Sequence, residues 1–327
     1  MKRLLLSLVL LLSVVTARGS VISRSNVGDT LQCEITFNKE GSFYNDFILK
    51  GKRLQFTRKG EADYYAVIDS RNDSTSVVSV YERASRWHVA TGNYLATDSL
   101  QRHGVWEWFG ENGQKLFLER YQAGYLYAIE AFVYDPEGRL KYSNYYSRRK
   151  KGQKNVIRLD KVYVYYPSGQ TQAVASIPME RIKNNSRGDI TVNPTEVVYY
   201  DTDGNEIQFG NVKGIRNMVE KYIQKNFQCP RMENAWAATA SFDVIVRTDI
   251  TGKIHLVHAS DDVFYHYTMM DHPADGEFKS KITPALQAFI HDELPSMELA
   301  GKPVTVAKKP VEAVLYFTVT IRIKTQI

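Results

Sequence analysis

Trp108-Phe109-Gly110-Glu111-Asn112-Gly113, at residues 108–113, ends an aromatic run in a polar turn that closes on glycine. Glycine accepts the positive φ that other residues resist, so a turn of this kind joins two antiparallel strands as a hairpin. The same pattern returns at residues 133–138, 165–169 and 199–204. The repetition predicts a series of hairpins through the middle of the chain.

Short aromatic and β-branched runs surround these turns from about residue 30 to residue 209, and apolar residues there show almost no helical spacing. Further strands are predicted at residues 31–37, 53–56, 64–68 and 76–81. We therefore expect an all-β antiparallel hairpin-repeat domain over residues 18–210. The 21 tyrosines and 14 phenylalanines of the chain are interpreted mainly as cross-strand packing, although an aromatic surface for carbohydrate or a partner stays an alternative.

A resemblance extends this prediction. His103-Gly104-Val105-Trp106, then Asn112-Gly113, then Tyr121-Gln122-Ala123-Gly124 resemble MORN-type repeats, in the variant of the YwqK antitoxin-like family. The resemblance covers about residues 93–209. It implies an extended sheet of stacked hairpins, which in such families serves mostly as a scaffold or a contact surface.

Beyond residue 209 the spacing of apolar residues changes. Apolar side chains at positions 212, 215, 218, 219, 222, 223 and 227 predict one face of an amphipathic helix, which Pro230 bars from continuing. A strand at 242–246, a turn at 249–252 and a strand at 253–259 follow as a hairpin. A second helix is predicted at 276–289, and two strands at 304–306 and 315–323. The pattern indicates a separate α+β domain over residues 213–327.

The order of these segments resembles the C-terminal domain of TonB across about residues 213–324. The sequence segments that carry the resemblance are residues 221–227, which precede Pro230, residues 242–254, and Gly301-Lys302-Pro303-Val304. Cys229 stands where the family usually has tyrosine. The resemblance implies a multi-domain chain that ends in a three-stranded antiparallel sheet with two helices. It also implies a binding module that adds a strand from an envelope protein, such as an outer-membrane receptor or transporter, to a sheet edge.

The first residues predict export. Lys2 and Arg3 precede a run at residues 4–12 that is apolar except for Ser7 and that continues past Ser13 to Val15, and small residues follow. We interpret residues 1–17 as a signal peptide cleaved after Ala17, with no cysteine placed for lipid attachment. A helix over residues 4–15 is about 18 Å long, too short for a stable membrane anchor. The expected location is the periplasm, with outer-membrane association or secretion as alternatives.

Charge and cysteine content bound the possible partners. The net charge is +6 and the pI about 9.0, but basic residues are dispersed except for the cluster at 148–151, which is predicted to be a solvated loop. Nucleic acid is therefore not an expected partner. The only cysteines, Cys33 and Cys229, could pair in an oxidising compartment, and the sequence alone does not decide whether they do.

Two groups of polar residues are candidates for metal sites. The first group shares histidine and aspartate side chains and comprises His255, His258, Asp261, Asp262, His266, Asp271 and His272. The odd separation of His255 and His258 predicts opposite faces of a strand, so no metal site is expected there. Asp201-Thr202-Asp203-Gly204 begins like a calcium loop, but position twelve is Val212, and a turn is the better interpretation.

No glycine-flanked nucleophile, phosphate-binding loop or cysteine-histidine pairing occurs in the sequence. We therefore expect no catalytic residue and no cofactor. The sequence predicts a soluble, non-catalytic protein-binding module of the cell envelope. It lacks the anchor and proline-rich spacer that an energy transducer requires. A carbohydrate-active or metal-dependent hydrolase and a structural repeat scaffold stay as alternatives.

Overall fold

The computed structural model describes residues 26–37, 52–56, 63–96, 101–151, 154–178, 182–184, 190–192, 195–231, 237–260, 263–267 and 275–324. The predicted signal peptide and its cleavage site after Ala17 lie outside these residues. The chain divides into two units, Met1–Lys161 and Val162–Ile327, so the domain boundary predicted at residues 210–213 falls within the second unit. In the described part of the chain, no helix is both long and apolar enough to cross a membrane.

The described secondary structure is mostly strand. The strands are β1 (Thr30–Phe37), β2 (Lys52–Phe56), β3 (Tyr64–Arg71), β4 (Thr75–Glu82), β5 (His88–Leu95), β6 (Arg102–Phe109), β7 (Lys115–Gln122), β8 (Tyr125–Tyr134), β9 (Leu140–Lys151), β10 (Lys154–Tyr165), β11 (Thr171–Ser176), β12 (Ile182–Asn184), β13 (Ile190–Val192), β14 (Glu196–Tyr200), β15 (Glu206–Ile207), β16 (Ala237–Thr248), β17 (Lys253–Ala259), β18 (Phe264–Tyr267), β19 (Glu298–Ala300), β20 (Thr305–Val306), β21 (Lys309–Pro310) and β22 (Ala313–Lys324). The helices are α1 (Val212–Asn226) and α2 (Asp275–Ala288), and α2 continues into a π-helical turn (Phe289–Glu293) and a 3-10 turn (Leu294–Ser296).

The first unit is built on an antiparallel sheet in the order β9-β8-β7-β6-β5-β4-β3-β1-β2. Consecutive strands from β3 to β9 are neighbours, as a series of hairpins requires. Gly113 and Gly138 close two of the turns at φ 77° and 81°. The hairpins and turn glycines predicted here are confirmed.

One face of this sheet forms the core of the first unit. Trp106 and Trp108 are fully buried on β6, and β5 brings Gly92 opposite Trp106. A Cβ atom on Gly92 would lie only 2.2 Å from Cδ2 of Trp106. Glycine is therefore required at this position, because the indole ring rests directly on its backbone.

The second unit has β16 at the centre of a five-stranded antiparallel sheet. β22 pairs with all of β16 on one side, while β17 and β18 divide the other side between them and β19 pairs with β17. The predicted helix at 212–227 is observed as α1, and its buried residues Ile215, Val219 and Ile223 follow the predicted spacing. β14 lies between β11 and β15 in this unit.

The predicted fold class is wrong for the C-terminal part of the chain. A three-stranded sheet with two helices, as the TonB resemblance implied, is not found; the sheet has five strands. β18 and β19 were missed because four and three residues are too few to show an alternating pattern. The strand predicted at 304–306 forms β20, which pairs with β21 in a separate two-stranded ribbon rather than joining the sheet.

Candidate peptide-binding groove

The edge of β14 is only partly covered. β11 pairs with β14 along Glu196–Tyr200 on one side, whereas β15 pairs on the other side with Tyr199 and Tyr200 alone. After Ile207 the chain leaves the sheet. Within the described residues, the edge of β14 ahead of Tyr199 therefore has no strand partner.

The outer edge of β22 is treated differently along its length. Near its end, α1 caps it: the N–H of Thr320 donates to Glu220 Oε1 at 3.1 Å and the N–H of Arg322 donates to Gln224 Oε1 at 2.7 Å. Gln224 Nε2 also donates to the carbonyl of Arg322 at 2.8 Å. The Gln224 amide thus takes the place of a neighbouring strand.

The hydrogen bonds of neighbouring residues show on which side of β14 and of β22 the backbone N–H and C=O groups lie. Residues two apart in an antiparallel strand turn their N–H and C=O groups to the same side. The N–H of Asp201 donates across the hairpin to Asn205, which places the backbone groups of Val197 on the β15 side of β14. By the same alternation, Thr318 lies on the outward side of β22, since Thr320 and Arg322 bond outward.

A pocket of about 570 Å³ lies between these edges. Its volume is in the range of ligand-binding clefts. The lining residues come from β14, β15, the start of α1 and the middle of β22: Thr195, Val197, Val198, Tyr199, Glu206, Ile207, Gln208, Phe209, Val212, Lys213, Arg216, Tyr316, Phe317 and Thr318. We call this pocket the β14–β22 groove.

One wall of the groove is aromatic and one rim is cationic. The rings of Tyr199 and Phe209 pack with centroids 4.9 Å apart. Lys213 and Arg216 are three residues apart on α1, so they lie on the same side of the helix. Glu206 is the acidic residue among the lining side chains. Among the described residues, the groove therefore offers apolar surface, a β14 edge without a strand partner at Val197, and an excess of positive charge.

Buried hydrogen bonds hold the β22 side of the groove in place. Asp243, on β16, is 6% exposed and accepts from Tyr316 Oη and Thr318 Oγ1, each at 2.6 Å. Tyr199 Oη donates to the carbonyl of Tyr316 at 3.2 Å, and burial raises the pKa of this phenol to about 12, so the hydroxyl keeps its proton. The groove is preorganised rather than loosely lined.

The prediction that His255 and His258 lie on opposite faces of a strand is wrong. β17 carries a bulge: Ile245 pairs with His258 but Val246 pairs with Leu256. Because Arg247 pairs with His255, the two histidines lie on the same face, not on opposite faces as their odd separation predicted.

The other members of this group are described only in part. Asp261, Asp262, Asp271 and His272 lie outside the described residues, and His266 is described only as part of the backbone of β18. His255 Nδ1 stands 3.8 Å from Glu298 Oε1. Among the described side chains, no three or more of His, Cys, Asp and Glu are arranged to hold a metal ion.

The turn at Asp201 is confirmed as a turn. Asp201 Oδ1 accepts from the N–H of Asp203 at 2.9 Å and from the N–H of Asn205 at 2.8 Å. These bonds, led by the one from Asn205, lower the pKa of the Asp201 carboxyl. Its oxygens are therefore occupied by the hairpin loop itself.

The basic cluster at 148–151 is not a loop, contrary to prediction. It ends β9, where Arg149 pairs with Asp160 at 2.7 Å and the Arg148 guanidinium lies 4.4 Å from the ring centroid of Tyr125. Long cationic side chains fit an exposed strand when carboxylate and aromatic partners stand beside them.

The first unit contains a buried polar cluster that resembles a reactive site. Glu119 Oε2 accepts from Arg102 at 3.0 Å, from Trp108 Nε1 at 2.9 Å and from Tyr121 Oη at 3.1 Å. The Glu119 and Arg102 side chains are only 2% and 11% exposed. Burial raises the pKa of the Glu119 carboxyl, while Arg102 opposes the rise. Because this network is buried and its donors have acceptors, we interpret its role as structural.

Part of the aromatic surface of the first unit is a stacked ladder of four rings. Tyr65, Tyr81, His88 and Phe109 follow one another across four strands with ring centroids 5.4, 5.1 and 4.8 Å apart and ring planes within 34°. Each ring covers the face of its neighbour, so these rings present mainly their edges. Sugar binding needs free ring faces, so for these four rings the cross-strand packing interpretation fits better.

Both cysteines are free thiols in this structure. Cys33 is fully buried in the first unit, and burial raises its pKa to about 12. Cys229 is half-buried in the second unit, and burial raises its pKa as well.

The sequence indicated none of the groove residues as a site. Val197 and Thr318 are far apart in the chain, and each looks locally like an ordinary strand residue. No local sequence pattern marks them, since the short length of β15 beside the longer β14 is seen only in the structure.

Fold and groove together define a β-rich chain of two units, in the second of which the described residues leave part of the β14 edge without a strand partner. Comparison with protein-family models and with curated proteins found no match.

Proposed function

We propose that this chain is a non-catalytic protein-binding module of the bacterial periplasm, and that the β14–β22 groove receives a short extended segment of a partner protein. The observation that carries the proposal is the edge of β14 at Val197, which has no strand partner among the described residues and lines the same groove as Thr318 of β22. Unpaired backbone groups at a sheet edge are completed by an added strand.

The site of addition follows from β15. β15 pairs with only the last two residues of β14, on the side opposite β11, and the chain then leaves the sheet at Gln208. A partner segment placed after β15 continues that strand along β14. The terminal edge of β22 beyond Thr318 is a poorer site, because Glu220 and Gln224 already satisfy its backbone groups.

Binding without catalysis fits the side chains of the groove. Its ionisable groups are Glu206, Lys213, Arg216 and two tyrosines, and one of these, Tyr199, already donates its hydroxyl proton to Tyr316. This set contains neither a cysteine nor a histidine that could serve as nucleophile or base. The periplasmic location is proposed from the basic, apolar and small-residue order of residues 1–17.

Site-specific photocrosslinking tests the proposal. A benzophenone amino acid replaces Gln208, an exposed groove residue outside the strands, or, as the control, Ile250, which is 63% exposed in the β16–β17 turn. The intact chain is produced in its native host and irradiated. We expect one dominant protein adduct from position 208 and none from position 250. Equal labelling at both positions, or none at 208, contradicts the proposal.

A further inference from the structure

We infer that the segment bound in the β14–β22 groove carries an acidic side chain next to an apolar one. This inference rests on the proposed function and adds the chemistry of the partner. It follows from which groove atoms have partners, and from where the unmatched groups lie.

Two cationic side chains at one rim of the groove lack full counterparts. Lys213 is exposed and has no ion pair among the described residues, and the buried Nε atom of Arg216 has no hydrogen-bond partner there. Arg216 has one nearby acid, Glu220, whose Oε1 is 3.7 Å from Nε and also accepts from the N–H of Thr320. The rim therefore has donors to spare for a carboxylate.

Positive charge exceeds negative charge around the groove. Lys213 and Arg216 face the same space as a single carboxylate, Glu206. An acidic side chain completes the balance, because charge-assisted hydrogen bonds from guanidinium and ammonium groups are stronger than neutral ones. A basic segment would be repelled by Lys213 and Arg216, and Glu206 is the single lining carboxylate that could pair with it.

The apolar contact is set by the aromatic wall. Tyr199 and Phe209 lie beside the open edge of β14, whereas Lys213 and Arg216 lie on α1, which begins just after Phe209. A strand added along β14 thus passes the rings and the cations within a few residues. Two cations beside the edge of β14 suit a peptide better than a nucleic acid, whose backbone needs a longer basic track.

Selection from a display library of random eight-residue peptides tests the inference on the intact protein. Three variants accompany it: Lys213→Gln/Arg216→Gln, the matched control Lys221→Gln/Lys225→Gln on the same helix, and the groove-filling Gln208→Trp. Lys221 and Lys225 are exposed and do not line the groove. All four proteins are first compared by circular dichroism and thermal unfolding.

We expect selected peptides with an acidic residue at one fixed position beside an apolar residue. Changing that acid to its amide should weaken binding about tenfold, the size of one charge-assisted hydrogen bond. The Lys213→Gln/Arg216→Gln protein should lose this difference and the Lys221→Gln/Lys225→Gln protein should keep it. Enrichment of neutral or basic peptides in the groove overturns the inference but leaves the proposed function standing. If no peptide is enriched relative to Gln208→Trp, or if the protein binds only a second copy of itself, both are overturned.

Discussion

The buried pair Arg102 and Glu119 allows a prediction in which the two single substitutions have unequal costs. Glu119→Leu removes the acceptor of three donors, from Arg102, Trp108 and Tyr121, and leaves a guanidinium that cannot give up its proton. Breaking a buried pair in this way costs about 3–5 kcal/mol. Arg102→Met should cost less, because burial has already raised the pKa of Glu119 and the carboxyl can take up a proton.

The double variant Arg102→Met/Glu119→Leu should lie within about 2 kcal/mol of the wild type, since apolar replacement of a buried ion pair is often neutral. Guanidinium unfolding followed by tryptophan fluorescence reports mainly on the first unit, which holds Trp87, Trp106 and Trp108 of the 4 tryptophans. In Arg102→Met, native Glu119 binds its proton more tightly than in the unfolded chain. Stability should therefore fall as pH rises from about 4.3 through the raised native pKa. Additive costs of the two single substitutions would refute this reasoning.

Three further outcomes are expected. Gly92→Ala should destabilise the first unit by about 1–3 kcal/mol in the same unfolding assay, because its Cβ meets the buried Trp106 ring at 2.2 Å; Gly110→Ala, whose Cβ would have the flexible Asn112 side chain as its nearest neighbour and whose φ is not positive, is the control for the general cost of replacing a glycine. Gln224→Ala should uncap the β22 edge, costing about 1 kcal/mol and promoting concentration-dependent self-association in sedimentation, while Lys225→Ala should do neither; a monomeric Gln224→Ala protein contradicts this. A thiol reagent at pH 8 should label Cys229 in the native protein and Cys33 only after unfolding, because Cys33 is fully buried with a pKa of about 12; labelling of neither cysteine, even after unfolding, until the protein is reduced would instead show that the two cysteines pair.

The sequence predicted the features that depend on local patterns. Turn glycines such as Gly169 and Gly204 adopt φ values of 88° and 83° because a hairpin loop needs positive φ at that position wherever it occurs. α1 was predicted almost to its ends because a helical stripe of Ile215, Val219 and Ile223 is unambiguous over fifteen residues.

Features that depend on pairing between distant segments could not be predicted. A single bulge at Val257 places His255 and His258 on the same face of the strand, and no residue type in the sequence predicts this bulge. The same holds for the groove: β14 and β22 were assigned to different predicted domains, and only tertiary structure brings Val197 and Thr318 to one pocket. The TonB resemblance rested on short sequence segments, which do not determine the number of strands in a sheet.

Residue-resolved amide hydrogen exchange of the intact protein tests the central claim most directly. In the free protein, the amides of Val197 and Thr318 should exchange quickly, whereas those of Thr320 and Arg322, capped by Glu220 and Gln224, should be protected. Adding the partner segment recovered by crosslinking should slow exchange at Val197 and leave Arg322 unchanged. Protection of Val197 in the free protein, or no change there on binding, would contradict an open strand edge as the binding site.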